Sequence, residues 1–194
     1  MKTLLYLSLI TMSVISMSLS IADNHAKDQQ QKAVLITGAT TGIGRLTAET
    51  LAKDGYFVYA GARKQRDIDA LNKIANIQAV KLDVTKQDQV DAAFATIKNA
   101  GRGLYGLVNN AGVGSGGPLI EQPEDNIRWL FDVNVFGVFK VTQAFAPLII
   151  ESKGRIVTIG SISGILTWMG GGDYTMSKHA IEAFSETLAI EMEG

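Results

Sequence analysis

The chain has 194 residues, of which 46% are hydrophobic, with 20 Gly and only 3 Pro; this is a globular composition, and the length suits one domain with a sizeable core. Its 18 basic and 19 acidic residues leave a formal net charge of −1 without a long run of one sign, so there is no footprint for nucleic acid and a small-molecule partner is expected. Cysteine is absent and the histidines are His25 and His179 alone, which excludes disulfides, thiolate catalysis and cysteine metal sites and argues against a histidine metal centre.

Lys2 precedes an apolar run from Leu4 to Ile21 that lacks a polar face, and Ser20-Ile21-Ala22 offers small residues where a signal peptidase reads. Residues 1–22 are therefore expected to be an export signal for a periplasmic or secreted protein. The alternative is an uncleaved N-terminal membrane anchor acting through residues 4–21, with the rest of the chain able to face the cytoplasm. Residues 23–32 are polar and read as a linker.

Ala33-Val34-Leu35-Ile36-Thr37 predicts a strand buried on both faces. Thr37-Gly38-Ala39-Thr40-Thr41-Gly42-Ile43-Gly44 follows and leads into a helix to Asp54, with Ile43, Leu46 and Leu51 at near-helical spacing and Gly55 as its stop. Strand, glycine turn and helix outline a phosphate site: the glycines let the backbone approach a pyrophosphate, and the helix N-terminus presents free N–H groups and a positive dipole end. Many such connections need glycine for backbone reasons only.

Phe57 to Ala60 is the second strand, with Gly61-Ala62-Arg63-Lys64 at its carboxyl end. An acid there binds a ribose 2′-hydroxyl, whereas an arginine accommodates a 2′-phosphate. No acid precedes Asp67, so Arg63 favours NADP over NAD, unless Arg63 and Lys64 are only solvated loop charges. Asp67 to Ala75 predicts a short helix carrying Ile68, Leu71 and Ile74, and Gln78 to Leu82 a third strand. Asp83, at the strand end with Val84 beside it, can reach an adenine or belong to a plain loop, and Thr85 can cap the next helix, which bears Val90, Phe94 and Ile97. Leu104 to Val108 is the fourth strand and runs into Asn109-Asn110-Ala111-Gly112, where glycine permits close approach of a ring and the amides can bind backbone or sugar.

From Pro123, the pattern Ile127, Leu130, Phe131, Asn134, Val138, Val141, Phe145 and Leu148 predicts one long amphipathic helix. Asn134 on that stripe is either a satisfied core amide or a group facing a site. Gly154 to Gly160 is the fifth strand, with Ser161 at the carboxyl end where ligands of parallel sheets bind. The last helix carries Tyr174 and Lys178, four residues apart and so on one face. An opposite charge favours a phenolate by ~1 to 3 pKa units, which suits acid/base catalysis; taken alone, the pair could equally lie on a plain surface helix.

In this order the elements resemble the short-chain dehydrogenase/reductase family, over Ala33 to Gly194. The segment Thr37 to Gly44 matches its cofactor turn, Asp83 its adenine-side acid, Asn109 to Gly112 its Asn-Asn-Ala-Gly strand end, and Asn134 its helix asparagine. Ser161, thirteen positions before Tyr174, matches the catalytic serine, and Tyr174 with Lys178 the Tyr-x-x-x-Lys signature. The resemblance implies an α/β fold, a Rossmann-like doubly wound parallel sheet with helices on both faces, and hydride exchange between a nicotinamide and a carbonyl or alcohol.

In those roles Tyr174 is the acid/base, Lys178 holds the nicotinamide ribose and lowers the phenol's pKa, Ser161 binds the substrate oxygen, and Asn134 fixes a water in a proton relay. The stretch from Pro123 onward looks like the subgroup handling retinoid, steroid or other apolar alcohols. Family members add a sixth strand, so the chain is expected to be truncated after the fifth strand and its following helix, leaving an open edge that favours homo-oligomers. A nucleotide-binding protein without turnover, or an inactive remnant, is the rival expectation.

Overall fold

The computed structural model describes residues 31–192. The expected leader and the linker up to residue 30 lie outside the described residues. From Lys32 onward the described residues form one compact unit.

Five strands make one parallel sheet in the order β3-β2-β1-β4-β5: β1 (Ala33–Ile36), β2 (Phe57–Ala62), β3 (Ile77–Lys81), β4 (Gly106–Asn109) and β5 (Arg155–Thr158). The chain builds β1, β2 and β3 outward in one direction, then returns to the other side of β1 for β4 and β5. This is the doubly wound order, and it reverses between β1 and β4. A crevice opens at such a reversal, beyond the carboxyl ends of the two strands.

Alternation along β1 shows why the sheet needs cover on both faces. Ala33 and Leu35 pack on one side with Tyr59, Leu107, Val90, Ile97 and Phe145, under α3 (Gln87–Asn99) and α5 (Gly137–Glu151). Val34 and Ile36 pack on the other with Val58, Ala60, Ile68 and Leu71, under α1 (Gly42–Lys53) and α2 (Gln65–Leu71). Leu35 and Ile36 are both 0% exposed, and burying each is worth about 1.5–3 kcal/mol.

Four expectations about the elements need correction. On α1 the residues expected to form the apolar face, Ile43 and Leu46, are 61% and 66% exposed, while Gly44, Ala48 and Ala52 are buried. The helix lies close to the sheet through its small residues, and a larger side chain on that face would hold it away. Thr85 does not cap α3, whose N-cap is Lys86 without a side-chain bond. Instead, the N–H and hydroxyl of Thr85 donate to Asp83 Oδ1 at 3.0 and 2.8 Å, closing a local turn.

The long helix from Pro123 is divided into α4 (Glu124–Phe131), a π-helical turn at Asp132–Phe136, and α5. The apolar stripe survives the division, with Leu130, Val133, Val138, Val141 and Phe145 buried. The π turn carries Asn134, and such turns recur at functional sites. The last helix, α6 (Gly172–Met192), packs against α4 and the π turn. Helix α2 ends at Leu71, before the expected Ala75, because the chain turns there and Asn76 takes φ 63°.

Candidate active site

The glycine turn after β1 is held by its own backbone and by the strand beside it. Thr37 Oγ1 accepts the N–H groups of Asn110 and Ala111, both at 3.0 Å. Asn110 Nδ2 returns the link, donating to the carbonyls of Thr37 at 2.9 Å and Gly38 at 3.1 Å. Two glycines are required by this arrangement. Gly38 has φ +65° and its missing Cβ would lie 2.9 Å from Ala111 Cα, while a Cβ on Gly44 would stand 2.3 Å from Asn110 Nδ2. Helix α1 starts at Gly42 with no side-chain cap from Thr41, so its first N–H groups are free to meet an anion.

Above the turn lies a cavity of about 740 Å³ at the reversal of strand order, lined by residues of every loop at the carboxyl ends of the strands. Gly38, Thr40, Thr41 and Ile43 enter it from the first loop, Arg63 from the second, Asp83 and Val84 from the third, and Asn110, Ala111 and Gly112 from the fourth. Ser161, Tyr174 and Lys178 form the far wall. Four expected site residues do not line it. Ala39 is 0% exposed and packs in the core beneath the turn; Gly42 and Gly44 serve the backbone of the turn.

Asn134 is the fourth, 2% exposed behind the wall. Its Oδ1 accepts the Val113 N–H at 2.8 Å, and Nδ2 donates to the Val113 carbonyl at 2.9 Å and to Ser177 Oγ at 3.1 Å. Both amide protons are therefore taken by protein groups. Asn109 likewise turns inward, donating to Thr142 Oγ1 at 2.9 Å, and is a core amide rather than a ligand group.

The α6 helix presents Tyr174 and Lys178 one turn apart. The Lys178 ammonium donates to the Ile159 carbonyl at 2.7 Å and lies 5.8 Å from the centroid of the Tyr174 ring. Burial pushes the Lys178 ammonium below its ordinary value of 10.5, and the nearby Glu182 carboxylate opposes the shift. Ser161 stands at the end of β5, where its Oγ accepts the Ser163 N–H and donates to Ser163 Oγ, both at 3.2 Å.

The cavity also takes in residues not expected there. Lys64, Arg66 and Asp67 line the end beside Arg63, with Arg66 Nε 3.3 Å from Asp67 Oδ1, and Val113, Val133, Ile159 and Gly160 line the centre. Position just after a strand end was the available signal for Val113 and Gly160. Val133 had none, since it reaches the cavity only through the π turn. A glycine cradle, a free helix N-terminus and a cleft of this size fit an extended dinucleotide, which such crevices hold with its pyrophosphate on the helix end.

Comparison with known proteins agrees with this geometry. The family model for short chain dehydrogenase matches residues 32–194. Retinol dehydrogenase 16 of Rattus norvegicus is 39% identical over 168 residues, which cover 84% of this chain and 53% of that protein. The crystal structure of a short chain dehydrogenase/reductase from Burkholderia phymatum in complex with NAD is 35% identical with a TM-score of 0.76, over 82% of this chain and 59% of that one. An alcohol dehydrogenase from the archaeon Thermococcus sibiricus, complexed with 5-hydroxy-NADP, is 28% identical with a TM-score of 0.80, over 84% and 72%. The chain spans about half the length of the curated relatives it matches, 53% for the rat protein. With most of its length inside the family match and the family's cleft at the strand-order reversal, the chain belongs to the short-chain dehydrogenase family.

Proposed function

We propose that this chain carries the cofactor site and acid/base machinery of an NADP-dependent oxidoreductase acting on apolar carbonyl compounds or alcohols. The observation that carries the reading is convergence: Ser161, Tyr174 and Lys178 line the same cavity as the free N-terminus of α1. A nicotinamide dinucleotide, when bound, supplies or accepts the hydride.

The first N–H groups of α1 and the turn Gly38–Gly44 hold the pyrophosphate. The Tyr174 phenol gives its proton to the carbonyl oxygen in reduction and takes it from the alcohol in oxidation. Ser161 Oγ orients that oxygen by donating to it, and gives up its bond to Ser163 Oγ to do so. Of the three Lys178 donors, one is held by the Ile159 carbonyl, and the others would serve the ribose hydroxyls of the cofactor. Asn134 acts indirectly, by tying Val113 to the helix of Tyr174; a water relay to Lys178 would have to use its main chain.

Preference for NADP rests on Arg63, Lys64 and Arg66 in the cavity lining, against two acids: Asp67, which Arg66 pairs, and Asp83, whose Oδ1 accepts the N–H and hydroxyl of Thr85. Preference for an apolar substrate draws on Ile165, Leu166 and Met169, exposed in the segment that joins Ser161 to Tyr174, and on the retinol named in the rat relative. Residues 4–21 would attach the protein to a membrane or direct its export, which N-terminal sequencing of the mature protein distinguishes.

The test is absorbance at the nicotinamide band with the full chain, NADPH or NADH, and octanal or all-trans-retinal as probes. Turnover with NADPH well above that with NADH is expected. Faster turnover with NADH refutes the cofactor preference, and cofactor binding without turnover of any probe refutes the oxidoreductase.

A further inference from the structure

Asp173 is fully buried at 0% exposure, in the first turn of α6, immediately before Tyr174. It does not line the cavity. A buried carboxylate is costly unless its oxygens are hydrogen-bonded, and both of these are. Oδ1 accepts the backbone N–H of Tyr174 at 2.8 Å. Oδ2 accepts the hydroxyl of Ser115, which belongs to the loop after β4. The positive end of the α6 dipole adds to the stabilisation.

That loop is joined to the α6 end at two further places. Gly117 N–H donates to the Gly170 carbonyl at 2.9 Å, and the Asn134 amide clasps Val113 on one side and Ser177 on the other. Val113 and Gly114 line the cavity. The floor of the site and the start of its catalytic helix are therefore stitched together, and two stitches reach the Tyr174 main chain: Asp173 Oδ1 accepts its N–H, and Ser177 Oγ donates to its carbonyl at 2.7 Å.

We propose that the Ser115–Asp173 pair is a latch that positions Tyr174: it locks the first turn of α6 to the loop after β4, so that the phenol stands in register with the cavity. Its effect on rate rests on the oxidoreductase reading; its effect on the mobility of the helix start does not. Ser115 and Asp173 are positioning residues and touch no reacting atom. The expected consequence is large because a misplacement of about 1 Å at the reacting groups can cost roughly 10²-fold in rate.

The test uses the full chain with Ser115→Ala, Asp173→Ala and Asp173→Asn. Backbone amide exchange is followed by mass spectrometry in peptides spanning residues 170–178 and 37–44, and kcat and KM are measured with octanal and NADPH. Losing a buried hydrogen bond should speed exchange in 170–178 about tenfold, with 37–44 within about twofold of the parent. The same alanine variants should lower kcat by about tenfold or more while KM for NADPH changes less than about twofold.

Asp173→Asn keeps the acceptor for Tyr174 N–H and gains a donor for Ser115 Oγ, so it should return most of the lost rate and protection. Unchanged exchange in 170–178 overturns the latch, as does an equal rise in both peptides, which would mark general loosening. Should Asp173→Ala fail to fold, Ser115→Ala, at a half-buried loop position, decides the matter. An inactive parent chain would remove the oxidoreductase reading, and the exchange measurement would still decide the latch.

Discussion

Lys178 and Tyr174 stand one helical turn apart on α6, with the ammonium nitrogen 5.8 Å from the centroid of the phenol ring and anchored at 2.7 Å by the Ile159 carbonyl. The anchor belongs to the loop after β5, so the spacing of the pair on the helix and its placement over the cavity come from different parts of the chain. Removing the phenol oxygen should leave this scaffold intact. Tyr174→Phe is expected to abolish turnover of octanal or retinal, with NADPH affinity by fluorescence titration within about threefold of the parent, because only an interaction at the reacting oxygen is lost. A variant with near-parental rate would remove Tyr174 from the chemistry.

The buried Lys178 makes stability depend on pH. Burial pushes its pKa below 10.5, with Glu182 opposing, so between the lowered folded value and 10.5 the unfolded chain binds more protons than the folded one. Stability then rises with pH through the interval between the lowered folded value and 10.5, is complete above it, and is lost as pH falls through the folded value. The melting temperature of the parent relative to Lys178→Met should climb across that interval. Glu182→Gln, which removes the opposing charge, should extend the climb to lower pH; parallel curves for the parent and Lys178→Met would refute the cause assigned.

Gly44 and Gly42 should respond differently to substitution. A Cβ at Gly44 would stand 2.3 Å from Asn110 Nδ2 and 2.6 Å from the Gly38 carbonyl, so Gly44→Ala must displace the brace of the turn. A loss of about 1–3 kcal/mol in a urea melt is expected, with weakened NADPH binding. At Gly42 nothing lies within 4 Å, but φ is +54°. Gly42→Ala should therefore cost about 1–2 kcal/mol from backbone strain alone, and Gly42→Asn less.

Thr37 is 1% exposed and its hydroxyl accepts two backbone N–H groups. Thr37→Val keeps the shape and strands both donors, at about 1–3 kcal/mol for each buried group left without a partner. The urea midpoint should fall clearly in Thr37→Val and recover in Thr37→Ser. A midpoint for Thr37→Val equal to the parent's, with Thr37→Ser below both, would show that the methyl group, not the hydroxyl, is what the site uses.

Short-range chemistry explains what could be read before any coordinates. Apolar runs such as Ala33–Ile36 and Phe57–Ala60, each ending in glycine or a turn, announce buried parallel strands because both of their faces must be covered. Ser161, Tyr174 and Lys178 were legible as a set, since their order and spacing survive in any fold that brings strand ends together. The face of α1 was not legible: Ile43 and Leu46 carry the hydrophobic spacing, yet Ala48 and Ala52 make the contact, because the distance between helix and sheet is set by the smallest residues at the interface. Thr85 looked like a cap and instead closes a turn on Asp83, a choice made by the neighbouring backbone.

The sequence by itself determined the strand-turn-helix units, the glycine cradle, and the identity of the phenol, ammonium and hydroxyl, because these depend on residue type and on spacings of a few residues. Only the tertiary structure decided which face of each helix is buried, that the long helix breaks into a π turn at Asn134, and that Asn110 braces the turn while Asn109 faces the core. It alone showed Asp173 fully buried beside Ser115, 58 positions away in the chain. Those outcomes depend on which distant backbone groups arrive beside a side chain, and the packing of the sheet and its helices fixes that arrival. The pair Tyr174 and Lys178 spans both levels: four residues of helix place them on one face, and the Ile159 carbonyl and the latch at Asp173 hold that face over the cavity.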